Sequence, residues 1–175
     1  MGINGLSIGV ESGDDETLSL AGKGYTAGDI FQQCRKLDEA GMEYYFVYMT
    51  GLAGKGGGYR NAVNSARLFS QLNPYFISVD SLTLFPDTEL YQMAQQGLFV
   101  PAGEKERIRE LQLFIRNLHI RTHLLANTVS NFAPVTGYLP YDREKVVNEL
   151  QFVMNHTKEE QMQEYRKGLR SLERG

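Results

Sequence analysis

The segment Gly5-Leu6-Ser7-Ile8-Gly9-Val10-Glu11-Ser12-Gly13-Asp14-Asp15 constrains the fold most, because an apolar run stops there at a carboxylate, a hydroxyl and a glycine and then turns acidic. Leu6, Ile8 and Val10 alternate with Ser7 and Gly9, which are small enough for close packing on their face. A run this short predicts one buried strand. Ser12 and Asp15 have the spacing of a capping box, and Asp14, Asp15 and Glu16 suit the positive end of a helix. Strand, turn and helix in that order invite a ligand at the strand's carboxyl end. The spacing alone leaves two roles open: a ligand site, or a cap at Ser12 beside a solvated Glu11.

Helix and strand then alternate. Thr26 with Asp29 is a second cap signature, Ile30, Phe31, Cys34, Leu37 and Ala40 form one helical stripe, and Gly41 stands where a helix-ending glycine belongs. Tyr44 to Met49 reads as a strand covered on both faces and runs into the loop from Thr50 to Gly58. A helix resumes near Arg60 with Ala62, Val63, Ala66, Phe69 and Leu72 inward, Asn73-Pro74 ends it, and Phe76 to Phe85 reads as a third strand closed by Pro86. Strands separated by helices of this length predict parallel βαβ units.

After Pro86 the pattern becomes helical. Asp87-Thr88 opens a short helix ending at Gly97, and Glu104 to about Thr122 carries Ile108, Leu111, Phe114, Ile115 and Leu118 at helical spacing. Asn127 to Tyr141 reads as a loop, Asp142 caps a helix with Val146, Val147, Leu150 and Val153 inward, and Met162, Tyr165, Leu169 and Leu172 mark a last amphipathic helix that packs on the domain or on a partner. No further strand is read after Pro86.

The 175 residues, 42% of them hydrophobic, suffice for a core without staples. A net charge of −3 does not indicate a nucleic-acid-binding surface. The single cysteine, Cys34, forms no intrachain disulfide and supplies no cysteine-based metal site, and its place on an apolar stripe suggests a buried thiol. No stretch is apolar enough to span a membrane, and no basic-plus-apolar leader opens the chain, so a cytoplasmic protein is expected. Two glycine clusters read as flexible connectors. Gly51 to Gly58 lacks the Walker spacing and terminal hydroxyl, and Gly22-Lys23-Gly24-Tyr25-Thr26-Ala27 follows a predicted helix where the dinucleotide fingerprint needs a strand. His119 and His123 fall at i and i+4 of one predicted helix, but HExxH is missing and core or surface roles fit better.

Ile8 to Leu18, followed by Lys23-Gly24-Tyr25-Thr26, resembles the fourth-strand motif of radical S-adenosylmethionine (SAM) enzymes, in the broad group that includes Elp3-like and coproporphyrinogen-dehydrogenase-like iron–sulfur oxidoreductases. Met49-Thr50-Gly51-Leu52-Ala53-Gly54-Lys55 is similar to their fifth-strand exit, and Ser81 to Tyr91 to the sixth strand with its Pro-x-Thr-x-Leu exit. Ser130 to Pro140 looks like the C-terminal loop of the same group. The four motifs stand in the right order over nearly the whole chain.

This resemblance implies an α/β fold: a partial (β/α)6 TIM-like barrel of three parallel strands with helices in residues 1–100, and a helical extension packed on it in residues 101–175. It implies SAM as cofactor, with Glu11 and Ser12 at its ribose or amino-acid part, Lys23 either at its carboxylate or solvated, Gly51 and Leu52 beside the adenine, and Leu84, Phe85 and Pro86 on the adenine's other side. The family also binds a [4Fe–4S] cluster through CxxxCxxC, which this sequence lacks. The chain is therefore expected to bind no cluster and to be inactive alone, as one part of an oxidoreductase that cleaves SAM to a 5′-deoxyadenosyl radical for hydrogen abstraction from an unknown substrate. The Met1-Gly2 start just before a strand favours a cut fragment over a natural remnant. Open barrel edges predict self-association. A non-catalytic α/β binding or regulatory module is the alternative.

Overall fold

Alternation along the second strand separates two environments: Tyr44, Phe46 and Tyr48 are buried, whereas Tyr45, Val47 and Met49 are only half-buried. A computed structural model describes residues 5–172, with side chains to residue 169. The Met1-Gly2 start and the Leu172 side chain lie outside the described residues. The elements in order are β1 (Gly5–Glu11), α1 (Asp15–Leu20), α2 (Ala27–Glu39), β2 (Glu43–Thr50), α3 (Gly58–Phe69), β3 (Phe76–Ser81), α4 (Glu89–Gln95), α5 (Glu104–Asn117), β4 (Thr122–Ala126), β5 (Val135–Leu139), α6 (Arg143–His156) and α7 (Glu159–Leu172). They form a mixed α/β fold with one five-stranded sheet in chain order, consistent with part of a barrel. Strands β1 to β4 are parallel and β5 runs antiparallel to β4.

Helices cover one face of this sheet. Phe46, Ile77, Val79, Leu124 and Leu139 meet Ala66, Phe69, Phe114, Ile115 and Leu150 there, and the Tyr48 ring stacks on Phe114 at 4.2 Å. Fully burying side chains of this size contributes roughly 1.5–3 kcal/mol each. The other face is partly open, contrary to the double covering expected for β2. A row in register crosses it through Ser7, Tyr45, Phe76, His123 and Tyr138. Tyr45 stacks on Phe76 at 4.1 Å, and His123 tilts against Tyr138 at 4.7 Å.

Strands β4 and β5 fall on segments whose sequence reads as the end of a helix and as a loop. Helix α5 stops at Asn117, and Thr122 anchors the new strand by donating its hydroxyl to Pro74 O at 3.0 Å. Gly137 sits inside β5 because α6 presses on it: a Cβ there would lie 2.8 Å from Val146 Cγ2. His119 therefore follows α5 while His123 lies on β4, so the two do not share a helix. Among the described residues no cluster of ligating side chains is arranged to hold a metal ion.

Strand β3 ends at Ser81, short of Phe85, because the Leu82 carbonyl accepts from the Arg107 and Arg166 guanidiniums. Leu82 and Leu84 then join a small apolar cluster with Leu52 and Phe99. Thr26 and Asp29 form the expected capping box. Gly41 takes φ 63° just past α2. Cys34 is buried and its thiol is pushed up to about 11 by burial, helped by the nearby Asp38 charge. Helix α7 packs on the domain through the buried Met162 and Arg166. No helix among the described residues is long and apolar enough to cross a membrane.

Candidate functional site

The exit of β1 is a sharp turn. Glu11 has φ 63°, and the Ser12 amide donates to Val10 O at 2.7 Å, closing a γ-turn around the glutamate. For a side chain larger than glycine such a conformation costs about 1–3 kcal/mol, and residues held this way concentrate at functional sites. The turn folds the carboxylate back over Gly9, where a Cβ would lie only 2.9 Å from Glu11 Oε1. Lys23 Nζ stands 3.4 Å from Glu11 Oε1. With the Tyr25 hydroxyl, Lys23 also donates to Gly9 O, at 3.3 and 3.2 Å. Glu11 Oε2 is buried and has no hydrogen-bond partner among the described residues.

Ser12 points the other way. It is fully buried, donates to Asn61 Oδ1 at 2.6 Å and accepts from the Asp14 amide at 2.9 Å. The expected cap at Ser12 with Asp15 is corrected: Asp14 caps α1 by accepting from the Thr17 amide, and Asp15 accepts from the Ala27 amide. Burial opposes ionisation of Asp14, but hydrogen bonds from Thr17, Asn64 and Arg60 outweigh it and hold the carboxyl below its usual range. Gly13 lets α3 approach, since a Cβ there would lie 2.8 Å from Ser65 Cα.

The exit of β2 is held by Glu110 of α5. The Gly51 amide donates to Glu110 Oε2 at 2.8 Å, while Tyr48 and Asn61 donate to Oε1 at 2.9 and 2.7 Å. Ser12, Asn61, Glu110 and Gly51 thus connect the ends of β1 and β2 behind the sheet. Burial pushes the Glu110 carboxyl up to about 7, against the lowering effect of its hydrogen bonds and of Arg107. The Tyr48 hydroxyl is raised for the same reason, and by the Glu110 charge. One turn earlier on α5, Glu106 accepts from the Gly56 amide, so two carboxylates of one helix hold both ends of the glycine-rich loop.

The eight residues singled out from sequence therefore divide. Glu11 and Lys23 meet at the exit of β1, and Ser12 and Gly51 are joined through Asn61 and Glu110. Leu52 and Leu84 share one apolar cluster. Phe85 lines a cleft at the ends of β2 and β3, while Pro86 is exposed. Sequence reasoning missed Asn61, Glu110 and Tyr25. The first two carry a readable signal, since each is a polar residue set among the inward positions of an amphipathic helix.

No family model matches the chain. Over 115 residues, 62% of its length, it is 27% identical to a tRNA uridine(34) acetyltransferase of Methanocaldococcus infernus, of which it spans 20%. Over 107 residues, 60% of its length, it is 31% identical to the heme chaperone HemW of Bacillus subtilis, of which it spans 28%. The fold is similar to that of the archaeal M. infernus Elp3 with an N-terminal deletion, at a TM-score of 0.61 over 88% of this chain and 36% of that one, with 18% sequence identity. The chain is a distant relative of these proteins and spans less than a third of each curated one.

Proposed function

We propose that this chain is part of a radical SAM enzyme and that the strand exits hold SAM. Four ordered motifs and the distant kinship with Elp3 and HemW support the family, and the observation that carries the site is Glu11, strained, buried at Oε2 and unpartnered there. A buried carboxylate oxygen without a donor is costly, and a ligand hydroxyl or ammonium would relieve that cost. Given an electron donor from outside these residues, SAM held here would supply the hydrogen-abstracting chemistry of the family.

The chain's own residues divide the work of holding it. Glu11 accepts from the ribose hydroxyls or the ammonium. Lys23, beside Glu11, pairs with the ligand carboxylate and keeps the Glu11 side chain in place. Ser12, engaged by Asn61, sets the shape of the turn. The turn at Gly51 and Leu52 would give the adenine an apolar surface, with Leu84, Phe85 and Pro86 on its other side. A cluster does not fit these residues, because Cys34 is the only cysteine and is buried with a raised pKa. No step is therefore assigned through a cluster.

Calorimetric titration of the chain with SAM tests the reading. Glu11→Gln keeps the shape but loses the charge, so affinity should fall by about 1.5–3 kcal/mol, or roughly tenfold to over a hundredfold. Failure of the unaltered chain to bind SAM, or equal binding by Glu11→Gln and Lys23→Ala, overturns it.

A further inference from the structure

A cleft of about 420 Å³ opens at the ends of β2 and β3. Met49, Phe85, Val129 and Leu169 line it with apolar surface, and its polar groups include Asp80 and Ser130. Asp80 lies on the open face in register with Met49. Its carboxylate is built into place: Oδ1 accepts from the Thr128 hydroxyl at 2.6 Å and from the Ser130 hydroxyl at 3.1 Å. Ser130 is itself fixed by accepting from the Ser81 amide at 3.0 Å, and Asn131 donates to Thr128 Oγ1 at 3.1 Å.

Nothing among the described residues forms an ion pair with this carboxylate. Arg166 is near in the fold but committed elsewhere. Its guanidinium donates to both oxygens of Glu104 at 2.6 and 2.9 Å, to Thr83 Oγ1 at 2.9 Å and to Ser130 O at 2.7 Å. A half-buried, prearranged carboxylate beside an apolar wall with a thioether and an aromatic ring has the chemistry of a cation seat: charge-assisted pairing at one end, and dispersion and ring-face attraction along the other.

We propose that the Asp80 cleft is a binding site for an organic ammonium ion, its charge on Asp80 and its apolar body between Met49, Phe85 and Leu169. The site borders the proposed adenine surface at Phe85, but its argument rests on Asp80 and its hydroxyl partners and not on where SAM is held. Benzylammonium, which carries no adenine or ribose, is the probe, with benzyl alcohol and benzoate as its neutral and anionic counterparts. Amide chemical shifts of the whole chain in a benzylammonium titration should move saturably at Asp80, Thr128, Val129 and Ser130, with at least a tenfold weaker response to benzyl alcohol and none to benzoate. Asp80→Asn keeps both hydroxyl contacts and should weaken benzylammonium about tenfold or more at an unchanged melting temperature. If benzylammonium leaves those amides unmoved, or binds no better than benzyl alcohol, the proposal is overturned. The ligand series on the unaltered chain decides even if the variant folds poorly, and a well-folded Asp80→Asn that binds as before also overturns it.

Discussion

Glu11 holds the one positive φ found at a non-glycine position among the described residues, and its carboxylate gains little that is structural in return: a partly exposed pairing with Lys23 and an unpartnered Oε2. Glu11→Gly should therefore leave the ligand-free stability unchanged or raise it by about 1 kcal/mol in urea unfolding, since relief of the left-handed strain offsets the entropy of glycine. A loss of more than about 1 kcal/mol would mark the side chain as a structural contact. Glu110 makes the opposite case, a carboxylate that binds its proton more tightly when folded. Its pKa rises from the ordinary 4.5 to about 7. Its contribution to stability is therefore fully present below pH 4.5, declines as pH rises through 7 and is absent above that. Urea midpoints across this window should fall with pH in the unaltered chain and lose that component in Glu110→Gln; identical pH profiles would show that Glu110 does not titrate there. The turn at Glu11 was legible from its residue types, whereas Glu110 became visible only once α5 was packed on α3.

Among the elements, α2 came through as read. Thr26 and Asp29 cap α2 because both partners lie within one turn. Strands β4 and β5 depend on distant partners instead. Three residue pairs with β3 and an antiparallel ladder between them hold five-residue segments that local chemistry describes as helix end and loop. Gly137→Ala should consequently cost about 1–3 kcal/mol in urea unfolding through overpacking against Val146, although alanine is the better residue by propensity. Helix α7 is fastened by Arg166, buried and paired with both oxygens of the buried Glu104. Replacing Arg166 by Ala leaves that carboxylate, among the described residues, with Arg107 at 3.8 Å, and a loss of roughly 3 kcal/mol is expected by the same measurement. An effect below about 1 kcal/mol would mean that α7 detaches without consequence for the sheet.

At the scale of the molecule the described sheet has two unpaired edges, β1 and β5, and one partly open face with an aromatic row. Such surfaces favour pairing between chains, so sedimentation velocity at micromolar concentration should reveal self-association that Tyr45→Lys weakens. A single monomeric species across that range would count against it. The sequence by itself determined the α/β class, the parallel β1–β2–β3 core with its helices and the turn at Glu11, because alternation, helical periodicity and cap chemistry are properties of neighbouring residues. Tertiary structure alone decided the rest: that Ser12 turns to α3, that Glu110 ties the ends of β1 and β2, that two more strands extend the sheet, and that Asp80 faces an apolar cleft. Each of these depends on residues dozens of positions apart in the chain, and only packing brings their side chains within reach of one another.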